Sequence, residues 1–362
     1  MKLKSIVLAS LCTIGLIHAD VQSHIAKVQL TAELQASVGN QEVQVDGLIK
    51  KIGSIGFSTV AANKNIQNFY YQKYKERNVE MISFFGVVNK EKLRPLLLAN
   101  PDFGAYAPFN FLVYKTLDKA HDDNTWYGHL APTTMLDIIG ENRPAQRKEF
   151  TTMVESFDTL SNAELKPTLK HKFEHTNPLP EHGLTKMVKK FDTPDDLEEF
   201  IEDFISDHDG RFSTHNFIIA GFIDFKFEYD DMDLEFDKYD AYWVSLLCHF
   251  KFSNSIFNHG IPQAGMFAPC SVYFYVPKGK NEIHVGYASV DNWINALNFH
   301  DQKRIDYMRS IDAEVIEVFK EMDFKLEKQA GTTVATVLNK DAEIKALKAQ
   351  IADLKAQLAG KK

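Results

Sequence analysis

Cys248 and Cys270 are the residues of this 362-residue chain with the clearest capacity for covalent chemistry. Their separation is not that of a Cys-x-x-Cys motif, and no Lys or Arg adjoins either one to favour a thiolate, although His249 follows Cys248 directly. If the strands that carry them are neighbours, the sulfurs can meet, and an oxidising compartment favours a bond. Closing a loop of that length stabilises a fold by about 3 kcal/mol in the chain-entropy account. Of three states, a structural disulfide, two inert buried thiols or a pair that handles electrons or sulfur, the structural disulfide is the one expected. Other chemistry is thinner. His171, His175 and His182, and separately His249 and His259, lack the spacing of a zinc motif, so no metal site is expected. The carboxylates of Asp230 to Glu235 lack the glycine and closing Glu of a calcium loop and suit a charged hairpin tip. No nucleophile elbow, phosphate-binding glycine loop or haem attachment motif occurs, so the balance leans away from an enzyme.

What must position these residues is a duplicated unit. Pro101-x-x-Gly104-Ala105-Tyr106-Ala107-Pro108 precedes the apolar run Phe109 to Tyr114. Pro262-x-x-Gly265-Met266-Phe267-Ala268-Pro269 precedes Cys270 to Tyr275 at the same offsets. Each copy predicts a glycine-permitted turn feeding a proline that opens a strand, where the fixed φ is tolerated and no ladder donor is lost. The echo continues: Gly128 matches Gly286, and Met135, Leu136 and Ile139 match Trp293, Ile294 and Leu297.

In chain order, the pattern predicts a strand at 28–30, a helix over 42–52, strands at 57–61 and 81–88, and a helix over 91–99. A hairpin of 109–114 with 125–130 follows, turning at 121–124, then helices over 135–139 and 145–160. Residues 161–190, with Pro167, Pro178 and Pro180, look like a linker. The unit then restarts: a helix from Thr193-Pro194, a long strand over 216–229, an acidic turn over 230–240, and a strand over 241–252. The second block, a return strand over 282–288 and helices over 290–297 and 304–326 close it. We therefore expect an α+β fold with two tandem sheet-plus-helices domains, 20–160 and 191–328, paired about a pseudo-two-fold axis.

On these residues the chain resembles the bacterial domain of unknown function 302 (DUF302) family, whose members carry a Gly-x-Cys-Asn-type strand end, a helix, Pro-x-x-Gly and a Pro-Cys strand start. The first copy matches as Gly86-Val87-Val88-Asn89, Pro101, Gly104 and Pro108-Phe109, with Val88 and Phe109 at the cysteine positions. The second matches as Cys248, Pro262, Gly265 and Pro269-Cys270, with Leu246 at the glycine position. The resemblance implies a covalently linked pseudo-dimer and carries no settled activity.

Two end segments set the context. Residues 1–19 have the layout of a secretory signal: Lys2 and Lys4, an apolar centre from Ile6 to Ile17, and a cleavage site at Ile17-His18-Ala19. The periplasm is the expected compartment. Ile344, Leu347, Ile351, Leu354 and Leu358 follow an a/d heptad within 334–360, which predicts self-association through a coiled coil. A net charge of −8 without Lys/Arg clusters argues against nucleic acid, and no segment of the mature chain suits a membrane span. We expect an exported, non-catalytic binding or interaction protein, any ligand sitting at the seam against Tyr106 and Phe267, with His249 nearby. A thiol redox or sulfur-handling protein using Cys248 and Cys270 is the alternative, and a binder of haem or another apolar cofactor a third.

Overall fold

The computed structural model describes residues 28–327 and residue 349. The signal segment 1–19 and the heptad residues Ile344, Leu347, Ile351, Leu354 and Leu358 lie outside the described residues.

The first module runs β1 (Gln29–Val38), α1 (Glu42–Lys51), β2 (Ser58–Asn63), α2 (Gln67–Tyr74), β3 (Val79–Val88) and α3 (Lys90–Ala99). A 3₁₀ turn (Pro101–Tyr106) then leads to β4 (Phe109–Thr116), β5 (Asn124–Gly128), α4 (Pro132–Ile138), α5 (Pro144–Leu165) and β6 (Leu169–His175). The second module runs β7 (Leu184–Lys190), α6 (Leu197–Thr214), β8 (Phe217–Asp224), α7 (Phe225–Asp231), β9 (Tyr239–His249) and α8 (Phe250–Ser253). Its own 3₁₀ turn (Pro262–Phe267) precedes β10 (Cys270–Pro277), β11 (Glu282–Ala288), α9 (Val290–Ala296), α10 (Gln302–Glu321) and β12 (Lys325–Leu326).

Each module is one antiparallel six-stranded sheet with helices, so the fold is α+β. The strand orders, β2-β3-β4-β5-β1-β6 and β8-β9-β10-β11-β7-β12, are the same order read through the repeat. Register agrees as well as order. Leu112, four residues past Pro108, pairs with Gly128, and Tyr273, four past Pro269, pairs with Gly286. The edge strands β2 and β8 shift register at matching places, between Thr59 and Ala61 and between Ile219 and Gly221.

Three sequence expectations are corrected. Residues 161–190 are not a linker: they hold the end of α5, the last strand of the first sheet and the first strand of the second. Polar, proline-punctuated strands of this kind lie where one face meets solvent, which removes the apolar signal that marks a strand. The strand expected over 216–229 stops at Asp224, whose carboxylate accepts from the Phe227 amide and starts α7. The strand expected over 241–252 stops at His249, whose Nδ1 accepts from the Phe252 amide and starts α8. Asn89 performs the matching task ahead of α3, accepting from the Lys92 amide.

One face of the second sheet is covered by its own helices. Trp243 stacks on Phe274 at 4.9 Å, and Phe204 of α6 and Phe319 of α10 close over Phe274. The opposite face, carrying Tyr242, Leu246 and Tyr273, meets the first module. There the 3₁₀ turn of each module docks on the other module's sheet, the first on β10 and β11, the second on β4 and β3. Neither Gly104 nor Gly265 has a positive φ. The glycines are needed for space rather than for backbone shape. A Cβ on Gly104 would stand 2.2 Å from the Tyr242 hydroxyl and 2.5 Å from Tyr273 Cβ, and one on Gly265 2.8 Å from Phe84 Cε1 and 2.9 Å from Leu112 Cδ1. Leu246 likewise uses room left by Gly86 and Gly221, with its Cδ1 3.3 Å and 2.8 Å from the Cβ each would carry.

Reciprocity extends to hydrogen bonds. Tyr70 of α2 donates its hydroxyl toward Ser253 of α8 at 3.0 Å, while Tyr229 of α7 donates to the Lys90 carbonyl of α3 at 2.9 Å. Such an exchange of equivalent contacts is the property of an isologous interface, here inside one chain. Among the described residues, no helix is long and apolar enough to cross a membrane.

Gly104→Ala should destabilise the protein by about 1–3 kcal/mol through overpacking, because the Tyr273 Cβ cannot retreat without its strand. Gly265→Ala should cost less, since its neighbours are the ends of side chains. Gly47→Ala, inside α1 with open space around it, should stabilise by about 0.5–1 kcal/mol. Chemical denaturation of the three variants checks the ranking; equal stability of Gly104→Ala and wild type would contradict the docking.

Candidate binding site between the two modules

The two turns end at equivalent cis peptide bonds, Ala107–Pro108 and Ala268–Pro269. Each strand start also reaches over. Asn110 Nδ2 donates to the Gly265 carbonyl at 2.7 Å, and its equivalent, Ser271 Oγ, donates to the Pro108 carbonyl at 3.3 Å. Between these crossings lies a small cavity of about 20 Å³ that opens in part to solvent. Equivalent residues from both modules line it: Tyr106 with Phe267, Pro108 with Pro269, Asn110 with Ser271. It therefore straddles the pseudo-two-fold axis.

The lining departs from symmetry in chemistry. Cys270 and Trp293 line it on the second-module side, whereas their first-module equivalents, Phe109 and Met135, are not in the lining. The Phe267 ring lies on the Trp293 indole at 5.2 Å and 24°, forming a flat apolar wall. No side chain of the lining carries a charge at neutral pH. Tyr106, Asn110 and Ser271, each 8% exposed, supply the polarity. The Tyr106 hydroxyl and Asn110 Oδ1 are closed to solvent and have no protein partner. The Asn110 orientation is set by its neighbour: the Gly265 carbonyl can only accept, so Nδ2 must face it and Oδ1 is left over. An unpaired buried polar atom costs about 1–3 kcal/mol, so two in one cavity wall are a considerable local expense. Burial also drives the Tyr106 phenol far above its usual range, and it stays protonated.

Sequence reasoning named Tyr106 and Phe267, and both line the cavity. It missed Asn110, although a polar residue between Phe109 and Phe111 in an apolar strand, two positions past the repeated proline, was a usable signal. His249 is not in the lining. Its ring caps α8 and meets Phe217 edge-on at 4.9 Å, and burial pulls its pKa down.

The cysteines are free thiols rather than a disulfide. Register explains this. Cys270 pairs with Leu247, so Cys248, one residue on, points from the opposite face of β9. The two strands are neighbours, but a one-residue offset keeps the sulfurs on different sides of the sheet. Burial pushes the Cys248 thiol up to about 11 and the Cys270 thiol up to about 12. Neither is activated as a nucleophile at neutral pH.

Comparison with solved structures finds a likeness to a protein of unknown function. A crystal structure of an uncharacterized conserved protein, DUF302, from Bacillus stearothermophilus is similar over 38% of this chain and 99% of that chain, at 13% identity and a TM-score of 0.33. No family model and no curated protein matches the chain.

Beside the cavity the seam holds a polar cluster that sequence reasoning did not find. Asp102, in the first turn, accepts from the Tyr273 hydroxyl at 2.6 Å and pairs with Lys186 of β7. Tyr242 and Tyr239 donate to the Pro101 and Leu97 carbonyls at 2.5 and 2.8 Å. The equivalent dock in the other direction is apolar, with Gly265 against Phe84 and Leu112. One pair has the outline of a general base, His129 with Asp158, but both of its ring nitrogens are occupied. Nε2 meets Asp158 at 2.8 Å and Nδ1 the Leu130 carbonyl at 2.7 Å. Burial pulls its pKa down and Asp158 more than offsets that, so the pKa is raised, and both nitrogens face oxygens that accept, the Asp158 carboxylate and the Leu130 carbonyl. No ring nitrogen is left to accept a substrate proton.

Under native conditions Cys248 and Cys270 should resist a maleimide or an aromatic disulfide for hours and react within minutes after denaturation. Peptide mass mapping assigns each site. Fast native labelling of either, or an intramolecular Cys248–Cys270 bond in the untreated protein, would contradict the free, inert thiols described here.

Proposed function

We propose that this is an exported, non-catalytic protein that binds a small molecule in the cavity on the pseudo-two-fold axis. The observation that carries the proposal is the pair of buried oxygens, the Tyr106 hydroxyl and Asn110 Oδ1, that the protein itself leaves without partners. Buried polar groups in folded proteins are nearly always paired, and exceptions concentrate where a ligand or ordered water completes the set. The neutral thiols, on opposite faces of their sheet, lend nothing to the redox alternative. The size of the cavity favours a small molecule over haem. Self-association through Ile344, Leu347, Ile351, Leu354 and Leu358 belongs to the same proposal, on the strength of the heptad alone.

A thermal-shift screen of small molecules should yield compounds that raise the melting temperature of the wild type. Tyr106→Ala combined with Phe267→Ala should abolish those shifts, and Tyr106→Phe, which keeps the ring, should reduce them. Compounds whose shift survives in both variants would place binding elsewhere.

Light scattering should give an oligomer for the mature chain and a monomer once residues 334–360 are removed. An unchanged particle mass would end the coiled-coil assignment.

A further inference from the structure

We infer that the ligand of the pseudo-two-fold cavity is a neutral molecule that carries an N–H or O–H donor beside a small apolar body, of the amide or alcohol class. This rests on the small-molecule reading above and adds the chemical class. Asn110 Oδ1 can only accept, so an occupant that completes it must donate. The Tyr106 hydroxyl can donate or accept, and it pairs with either end of an amide. An ion is disfavoured because no charged side chain lines the cavity to replace its lost hydration. Cys270 does not supply a charge either, since burial keeps its thiol protonated. The apolar body of the ligand finds the stacked Phe267 and Trp293 rings. The enclosed space, about 20 Å³, takes a donor-bearing end of one or two heavy atoms rather than a cofactor, and the rest of the ligand lies toward the opening.

The same geometry makes an unusual demand on one variant. Tyr106→Phe deletes a hydroxyl that has no protein partner and installs the residue that the other module already has, Phe267. The ligand-free variant should therefore be at least as stable as the wild type, while binding weakens. A hydroxyl with a purely structural role gives the opposite sign, because its removal lowers stability.

The experiment measures acetamide, acetate and methylammonium binding to the mature protein by saturation-transfer NMR, with thermal melts of the ligand-free proteins alongside. Expected are acetamide binding at least tenfold tighter than either ion, a loss of about tenfold in Tyr106→Phe, and an unchanged or raised melting temperature of that variant. Tighter binding of acetate or methylammonium that is lost in Tyr106→Phe overturns the neutral class while leaving the cavity as the site. Absence of acetamide binding, or binding indifferent to Tyr106→Phe, overturns both the class and the site. A lowered melting temperature of ligand-free Tyr106→Phe also overturns the inference, since the hydroxyl is then structural.

Discussion

The structure depends on one steric condition, met twice: a Pro-x-x-Gly turn of each module must lie flat on the sheet of the other. At Gly104 the receiving surface is the Tyr242 hydroxyl and the Tyr273 side-chain root, at Gly265 the Phe84 and Leu112 side chains. No Cβ fits in the first case without moving a strand. Because the turns are the segments that feed β4 and β10, docking them also fixes where those strands begin. The crossing bonds from Asn110 and Ser271, and the cavity between them, follow from that placement.

Duplication inside one chain frees the two copies from being identical. A symmetric dimer must present the same patch twice, whereas here each dock has its own chemistry. One is polar, with Asp102, Lys186 and Tyr273 joined in a cluster, and the other is apolar. Pairing a charged cluster with its proper partners opposes mispacking, because a buried Asp102 without Lys186 and Tyr273 would be strongly unfavourable. The same divergence shaped the cavity, where Tyr106 and Asn110 oppose Phe267 and Ser271. Leu246 opposite Gly86 is the simplest instance: one copy keeps a gap and the other fills it.

Residue type alone would have made Cys248, Cys270, His129 and His249 the reactive groups of this protein. Their surroundings assign them otherwise. Burial holds both thiols protonated, His249 spends a ring nitrogen capping a helix, and His129 spends both of its nitrogens on Asp158 and a carbonyl. The groups left with unspent hydrogen-bonding capacity at the seam are a tyrosine hydroxyl and an amide oxygen. The proposed binding role rests on these two groups.

The duplication, the α+β class and the hairpin of β4 with β5 were legible in the amino-acid order, because they rest on local periodicity and on turn residues at fixed offsets. Tyr106 and Phe267 were legible for the same reason, as matched aromatics in a repeated block. Strand β6 was not, since Lys, His and Glu along a solvated sheet edge carry no apolar pattern, and neither was the short β7, whose buried Leu184, Thr185 and Met187 stand among lysines. Nor were the short helices α7 and α8, which depend on one capping side chain each. Only the tertiary structure decided that the two glycines serve contact rather than turn geometry, that the cysteines face away from each other, and that Asn110 shares a cavity with Tyr106. Each of these turns on distances between segments far apart in the chain, and such distances are fixed by packing the two sheets together rather than by any neighbouring residue.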